Sequence, residues 1–566
     1  MDITITPTKL SGTVFPPPSK SQAHRLLIAA ALADGVSRLD NLALSQDIVA
    51  TIDCLSGLGA EFTWEGPELI VRGMAAGAMS PLRRLAYPHL DCGESGSTLR
   101  FLIPIALAVR GGGIFTGRGR LMERPQKPYF DLFDEKGIFY ELKDGVLTVT
   151  GTLTPGEYRL PGNVSSQFVT GLLYALSLRD GDSEIILTSP LESRGYVDMT
   201  LDALGLFGIY PEARESGFFI PGNRVYEPQD FIVEADWSQA AFWYAAKWLG
   251  SPVEVGGMDP SSAQGDAAVQ TQIRELSQPG DVDIDVSDCP DLVPPLAAMA
   301  ALRAGQTTRL TNAARLRIKE SDRLAAVTQV LNALGADVTE GPDSLTIRGK
   351  EALAGGAMVD SFNDHRIAMM AAIAATRCEK PVTVLGAECV AKSYPDFWEE
   401  YERLGGQIQR RYDLSLAPIG PDNWRKAAFL TTDPERLNPL DQKWIMSNAF
   451  SMLQAVYDPA WNCRLILSEG NAVGFAFFGW EEGDSAPLLC RYMIDTDCQG
   501  RGYGAQALPL VLEEMYRLYG RREIRITVEP ENIRAIRLYE RFGFRPTGEF
   551  DCTEAVYVLP APSQEV

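Results

Sequence analysis

Basic residues in this chain gather where helices should begin. Lys20, Arg25, Arg100 and Arg366 lie at or within the first turns of apolar runs, Lys319 and Arg323 precede and enter another, and Lys392 precedes a further one. Small polar clusters open such runs: Ser19-Lys20-Ser21, Ser95-Gly96-Ser97-Thr98, Ser165-Ser166-Gln167, Asp236-Trp237-Ser238-Gln239, Pro290-Asp291 and Asn363-Asp364-His365-Arg366. Ser, Asp or Asn ahead of an apolar periodic run is a helix N-cap signal, and capping alone would explain any one of them. It does not explain the cations, which the positive end of a helix dipole disfavours. Free N–H groups and cations together make a phosphate site. If the clusters converge, they form an electropositive cleft for a ligand with several phosphates or carboxylates. Far downstream, Gln499-Gly500-Arg501-Gly502-Tyr503-Gly504 stands between a strand pattern and an apolar helix. It reads either as a simple turn or as a nest of N–H groups for a pyrophosphate.

The elements that must position these groups repeat. Each polar cluster opens a helix, followed by Gly, a short β-branched stretch and a second helix ending near Leu-Gly. Copies spaced by about 55 to 75 residues are too long for solenoid units and predict compact α/β modules set side by side. The pattern stops after Leu404-Gly405-Gly406, and the Pro and Gly residues up to Pro421 predict a short linker. Beyond it, 463–468 and 472–480 read as strands with Gly474 between them. Leu488 to Ile494 is a third strand, and a helix reaches Tyr519. Ile524 to Val528 reads as a strand and Asn532 to Phe542 as a helix.

The 566 residues correspond to about four compact units at roughly 150 residues each. A net charge of −22, from 52 basic and 74 acidic residues, argues against a general nucleic-acid or anionic-membrane binder. An apolar share of 45% and a charged share of 22% are globular values. No apolar run approaches the roughly 18 residues of a membrane span, and no basic-then-apolar leader opens the chain, so a cytoplasmic protein is expected. Nine cysteines without a Cys-x-x-Cys pair and three distant histidines predict neither a disulfide framework nor a metal site.

Pro18-Ser19-Lys20-Ser21 with Arg25; Asp91 to Phe101; Met122-Glu123-Arg124-Pro125; Ser165-Ser166-Gln167; and Ser193 with Tyr196 follow one another along the chain. Asp288 to Pro294, Arg317 to Arg323, Asn363 to Arg366 and Ala391 to Asp396 continue the series. By these motifs, all in family order, residues 1 to about 408 resemble the 5-enolpyruvylshikimate-3-phosphate synthases. The resemblance implies an α/β (α+β) fold of two lobes built from six βα repeats, with the active site in the cleft. The domain would be 1–410, its outer lobe about 20–220 and its inner lobe 1–19 plus about 221–408. The implied reaction joins shikimate 3-phosphate to phosphoenolpyruvate and releases phosphate, with no cofactor. Lys20, Arg124, Arg323, Arg366 and Lys392, with Gln167 and the backbone at Gly96, would hold phosphoenolpyruvate. Ser165, Ser166 and Ser193 would bind the shikimate phosphate, and Lys20, Ser21, Arg25, Tyr196, Asp291 and Lys319 the rest of that substrate. The family's Asp, Glu and Lys map onto Asp291 as base on the 5-hydroxyl, with Glu320 and Lys20 serving carbon protonation. Their plain alternatives are a helix cap for Asp291 and an ion pair with Arg323 for Glu320.

Glu94 and Arg315 stand where some relatives carry Asn, which bears on substrate affinity. Gly96 leaves open the space beyond phosphoenolpyruvate, so sensitivity to the analogue glyphosate is expected. The alternative is enolpyruvyl transfer to UDP-N-acetylglucosamine, whose family uses a loop cysteine. The loop from Arg118 to Pro125 has none.

Residues 413–566 are different. Gln499 to Gly504 and the segment Asn532 to Phe544 resemble the GNAT acetyltransferases. The resemblance implies acetyl-CoA on Gln499, Gly500, Arg501, Gly502, Tyr503 and Gly504, Asn532 near the cofactor arm, and Tyr539 as acid to the leaving thiolate. A core aromatic is the alternative for Tyr539, and a non-catalytic CoA-binding or assembly module for the domain. The opening Leu416 to Trp424 looks most like the spermine/spermidine branch. Glu481, Glu482, Asp484, Asp495 and Asp497 would suit a polyamine and equally a solvated surface, so the acceptor stays open. The expected partners are anionic small molecules, with no nucleic acid and no membrane; the sequence does not set an oligomeric state.

Overall fold

The computed structural model describes residues 1–75, 86–432, 447–480, 483 and 485–562. Contacts divide the chain into two units, Asp2–Gln409 and Arg410–Val566 with Met1.

In the first unit one small topology recurs. His89–Asp91 runs parallel to Gly112–Thr116, which pairs antiparallel with Val146–Thr150, itself in a hairpin with Phe139–Lys143. The hairpin turns on Asp144 and Gly145, both at positive φ, which a two-residue turn matching strand twist requires. The parallel pair needs a crossover, and the Gly96–Arg110 helix supplies it. Gly156–Leu160, Ser183–Leu187, Gly217–Ile220 and Glu212–Arg214 repeat the strand order, as do Val282–Asp285, Thr307–Thr311, Leu345–Arg348 and Asp337–Glu340.

Two further four-stranded sheets close across long stretches of chain. Phe231–Ile232 pairs parallel with Val36–Asp40, and Asp2–Thr6 pairs antiparallel with Val382–Leu385. One apolar cluster runs from Ala23 to Val233. A second buried group sets Trp243, Tyr394, Phe397, Trp398 and Tyr401 ring against ring beside the His365–Ala375 helix.

Five of the six openings are capped as expected, by Ser19, Ser95, Ser165, Asp236 and Asp364. The sixth is not. Pro290–Leu292 is a 3-10 turn leading into Val293–Ala300 with no side-chain cap, which frees the Asp291 carboxylate for other partners. Pro104 lies inside Gly96–Arg110 and cannot donate to the carbonyl of Arg100. The Tyr129 hydroxyl donates to that carbonyl instead, at 2.8 Å, so the turn carrying Arg100 stays fixed.

The expected linker is instead two strands, Gln407–Arg411 and Leu414–Pro418. Pro418 ends an edge strand, where a missing N–H costs nothing in the ladder. The second unit is a seven-stranded sheet. Trp461–Ser468 and Asn471–Gly479 turn at Glu469-Gly470, so Gly474 lies inside the second strand rather than between the two. A Cβ on Gly474 would meet Met493 O at 2.5 Å. Leu488–Ile494 and Ile524–Val528 run parallel but pair only at Leu488 and Leu489, and are unpaired with each other beyond. No helix among the described residues is long and apolar enough to cross a membrane.

Candidate active site

Helix starts and loops of the first unit meet at one cavity, and nearly every residue expected there lines it. Lys20 is the first residue of Lys20–Leu32 and holds Asp47 at 2.8 Å, while its N–H donates to Asp236 Oδ2. Arg25, one turn on beside Ser21, is buried and donates to Ser21 O, Tyr196 O and Thr200 Oγ1 at 2.6 to 2.9 Å. Burial lowers its pKa to about 10, which leaves it charged at neutral pH. Arg100 donates to Gln167 Oε1 at 2.8 Å, and Gln167 Nε2 donates to Ser97 Oγ at 3.0 Å. Ser165 caps Ser166–Leu176 through Gln167 N. Ser193 has a φ of 54°, a left-handed conformation costing a non-Gly residue roughly 1–3 kcal/mol, and it opens Arg194–Leu206 with no side-chain cap bond. Strain at an uncapped helix start on the cavity wall is consistent with a ligand-binding serine.

Opposite these groups stands a node of paired charges. Arg323, 1% exposed, donates to Asp291 Oδ1 at 2.6 Å, Glu320 Oε2 at 2.6 Å and Asp364 Oδ2 at 2.8 Å. Lys319 lies 3.3 Å from Asp291 Oδ1, and Arg366 donates to Asp291 Oδ2 at 3.2 Å and to Ser238 Oγ. Burial alone would raise the Asp291 pKa, but Arg366, Lys319 and Arg323 hold it well below the usual carboxylate range. Burial is likewise outweighed at Glu320, which Arg323 and Arg124 hold low. Arg124 stands 3.9 Å from Glu320 Oε1. A Cβ on Gly96 would fall 2.8 Å from Arg124 Nη1, so the missing side chain is what lets that guanidinium lie where it does.

Lys392 does not line the cavity. Its ammonium donates to Glu94 Oε2 and to Asn363 O, each at 2.6 Å. Glu94 therefore competes with any anion for this cation. Arg315 is held by Glu192 at 2.5 Å.

Arg100, Asp236, Ser238 and His365, named in the sequence only as members of helix-opening clusters, also line the cavity, and sequence reasoning missed Asp47 on its wall and Asp266 behind Tyr196. His365 is buried, and burial with Arg366 and Lys20 keeps its imidazole pKa well below the ordinary value. The motif Asn363 to Arg366 could have flagged it.

In the second unit, Gly500 and Gly502 take φ of 82° and 95°, and Tyr503–Tyr519 starts without a side-chain cap. Arg534 Nη1 donates to Gln499 Oε1, tying the two motif segments together. Tyr412 stacks on Tyr503 with ring centroids 3.9 Å apart, and its hydroxyl donates to Arg501 O. Gly504 O accepts from the Tyr492 hydroxyl. Asn532 Oδ1 caps Ile533–Arg541 by accepting from Ala535 N. Tyr539 is 5% exposed within the apolar core beside Phe544, and burial with Glu554 nearby pushes its phenol pKa up. Asp495 is likewise buried, its carboxylate accepting from Thr431 N and Asp497 N. Glu481, Glu482 and Asp484 lie outside the described residues.

The profile of the EPSP synthase (3-phosphoshikimate 1-carboxyvinyltransferase) family matches residues 5–401, and that of the acetyltransferase (GNAT) family matches residues 422–544. The chain is 46% identical over 424 residues to the 3-phosphoshikimate 1-carboxyvinyltransferase of Clostridium kluyveri, covering 72% of this chain and 98% of that relative. It is 43% identical over 431 residues to the Clostridioides difficile enzyme of the same name, covering 71% and 97%. Among solved structures, an EPSP synthase from Acinetobacter baumannii aligns at TM-score 0.60 and 24% identity, over 72% of this chain and all of that one. The enolpyruvyl transferase NikO from Streptomyces tendae aligns at TM-score 0.58 and 18% identity, over 72% and 98%. Both structural likenesses speak to the fold.

Proposed function

The chain belongs to the EPSP synthase family and carries a GNAT domain after it; from that premise we propose that its first unit transfers the enolpyruvyl group of phosphoenolpyruvate to the 5-hydroxyl of shikimate 3-phosphate, releasing phosphate. One observation carries this reading: fourteen of the fifteen residues expected to hold these substrates, and Glu320 with them, line a single cavity, the exception being Lys392. Lys20, Arg124, Arg323 and Arg366 meet the anions of phosphoenolpyruvate, and Arg does so bidentately. Ser165, Ser166 and Ser193 bind the other phosphate without adding charge. Asp291 takes the 5-hydroxyl proton as the new carbon–oxygen bond forms, and Glu320 with Lys20 protonates the methylene carbon. The lobes, about 20–220 and 1–19 plus about 221–408, belong to the same reading. The test is phosphate release that requires both substrates together; no release from the pair overturns it.

Gly96→Ala should fold normally, because the added Cβ crowds the flexible end of Arg124 at 2.8 Å and otherwise meets Gln167 Oε1 at an ordinary 3.6 Å. With that guanidinium displaced, KM for phosphoenolpyruvate should rise about tenfold with kcat little changed, the pattern of lost ground-state binding. Glyphosate should lose inhibitory power in the same variant, and steady-state kinetics and an inhibition curve check both.

For the second unit we infer acetyl transfer from acetyl-CoA. The uncapped start of Tyr503–Tyr519 and the positive-φ glycines before it fit a pyrophosphate. Gln499 and Arg501 frame that loop, while Asn532 is committed to its cap and so acts through backbone position. Acetyl-CoA supplies the activated acetyl group. A phenol with a raised pKa is a weak acid, so Tyr539 serves the leaving thiolate as a hydrogen-bond donor. Tyr539→Phe should lower thiol release at least tenfold across polyamines, amino acids and shikimate-pathway compounds as acceptors. Unchanged release removes Tyr539 from the mechanism. If the intact chain binds CoA but releases no thiol with any acceptor, the domain is a binding module.

A further inference from the structure

Beside Asp291, across the Tyr196 hydroxyl, stands a second buried carboxyl that nothing above employs. Asp266 lies in the short 3-10 turn Gly265–Ala268 and is 4% exposed. Its Oδ2 accepts from the Tyr196 hydroxyl at 2.8 Å, and the same hydroxyl lies 3.1 Å from Asp291 Oδ2. Two glycines permit the approach. A Cβ on Gly195 would meet Gly265 Cα at 2.8 Å, so the turn carrying Asp266 seats directly against the helix carrying Tyr196.

The arrangement is one proton short. Tyr196 has a single hydroxyl proton, so two ionised carboxylates cannot both be satisfied by it. Asp266 Oδ1 is buried and accepts no hydrogen bond from a described residue, an expensive position for a charged oxygen. Asp291 has its three cations; no cation among the described residues is in contact with Asp266. The groups that face Asp266 are Tyr196 from Arg194–Leu206, Asp291 and Cys289 at the Pro290–Leu292 turn, Arg366 from His365–Ala375, and Asp236 at the start of Trp237–Trp248. Burial, with Asp291 adding to it, raises the Asp266 pKa to about 7 despite Arg366.

We propose that Tyr196 and Asp266 form a proton relay behind Asp291, with Asp266 as a positioning residue that stores the proton Asp291 takes from substrate. The inference rests on the synthase reading. As the 5-hydroxyl oxygen bonds to C2 of phosphoenolpyruvate, its proton passes to Asp291, while C3 takes a separate proton from the Glu320–Lys20 side. Asp291 hands its proton to Tyr196 Oη as the Tyr196 hydroxyl proton moves to Asp266 Oδ2. Asp291 returns to the carboxylate its cations favour, and Asp266 becomes a neutral acid. When the adduct collapses, the C2–O bond to phosphate breaks with its electron pair going to phosphate, and C3 returns its proton to the Glu320–Lys20 side. The stored proton travels back through Tyr196 and Asp291 to the departing phosphate. One proton has left the 5-hydroxyl and one has arrived on phosphate.

The relay accepts a proton only when Asp266 is ionised. In the full chain, kcat/KM for phosphate release, which reports the substrate-free enzyme, should therefore rise with pH through an ionisation near 7 and then level off. Asp266→Asn keeps the bond from Tyr196 and should lose that ionisation, with a plateau about tenfold lower and KM values within about threefold. Tyr196→Phe breaks the chain with Asp266 intact and should lose the same limb. A variant that keeps the limb, or whose defect lies wholly in KM, overturns the relay. Infrared difference titration of the substrate-free protein gives a readout independent of turnover. A buried carboxylic acid band should vanish near pH 7 in wild type and be missing in Asp266→Asn; loss of the wild-type band only in the ordinary acid range overturns the proposal. If wild type releases no phosphate, the synthase reading falls, and the infrared titration still decides whether Asp266 holds the proton.

Discussion

Asp291→Asn should lower kcat for phosphate release about a thousandfold, within the range general base catalysis supplies. The amide keeps the size of the side chain but cannot take the 5-hydroxyl proton. The cations around it make this more than a substitution of shape. Arg366, Lys319 and Arg323 hold the Asp291 carboxylate well below its usual range, so it is a feeble base while their charge is directed at it. Substrate phosphates and carboxylates draw that charge away, and the carboxylate becomes basic when the hydroxyl is in place. In the substrate-free protein the same depression keeps Asp291 ionised at neutral pH. A kcat within tenfold of wild type, measured at saturating concentrations of both substrates, would assign the base elsewhere.

Arg323→Met should destabilise the first unit by about 3–5 kcal/mol at neutral pH, the usual cost of removing one partner from a buried ionic cluster. Met matches the length but removes the donor that Asp291, Glu320 and Asp364 share, and Asp364, 0% exposed, cannot turn to water for a replacement. The pH dependence has a definite sign. Carboxylates whose pKa is depressed in the folded state stabilise it above their unfolded values of about 4, and that stability is lost as pH falls through the folded values. Asp291 and Glu320 are both depressed, and Arg323 is a cause at each. The gap between wild type and variant should therefore be widest near neutrality and narrow below about pH 4. Hydrogen exchange of the His365–Ala375 amides reports this unit alone and measures both effects; a gap that does not depend on pH would mean that packing rather than charge supplies the loss.

Much of this was legible in one sequence because caps are local. Ser19, Ser95, Ser165, Asp236 and Asp364 each cap through an N–H two or three residues away, so residue type and position suffice. The second unit's strands and helices also fall close to their hydrophobic patterns, and Leu488–Ile494 and Ile524–Val528 fall on them to the residue. What failed was decided at long range. The cap that was the plain alternative for Asp291 does not form, because its carboxylate is claimed by Arg323 and Arg366, 32 and 75 residues away. Asp266 is not singled out by the sequence at all; its burial depends on long-range approach, including the seating of Gly265 against Gly195. Pro418 and Gly420 read as punctuation for a linker, whereas the edge of a sheet accommodates a proline end. The effect of Pro104 is likewise decided at a distance, since the hydroxyl that replaces its missing donor comes from Tyr129.

The pairing of Asp2–Thr6 with Val382–Leu385 has a consequence for how the chain is made. The apolar cluster from Ala23 to Val233 can close once Phe231 and Ile232 reach their place beside Val36–Asp40. The first strand must wait for a partner roughly 380 residues downstream, which is roughly 20–80 s of synthesis at 5–20 residues per second. During that interval an alternating strand, with Ile3 and Ile5 destined for full burial, trails from a half already folded. Its unpaired edge is a hazard of the nascent chain that the finished protein no longer carries.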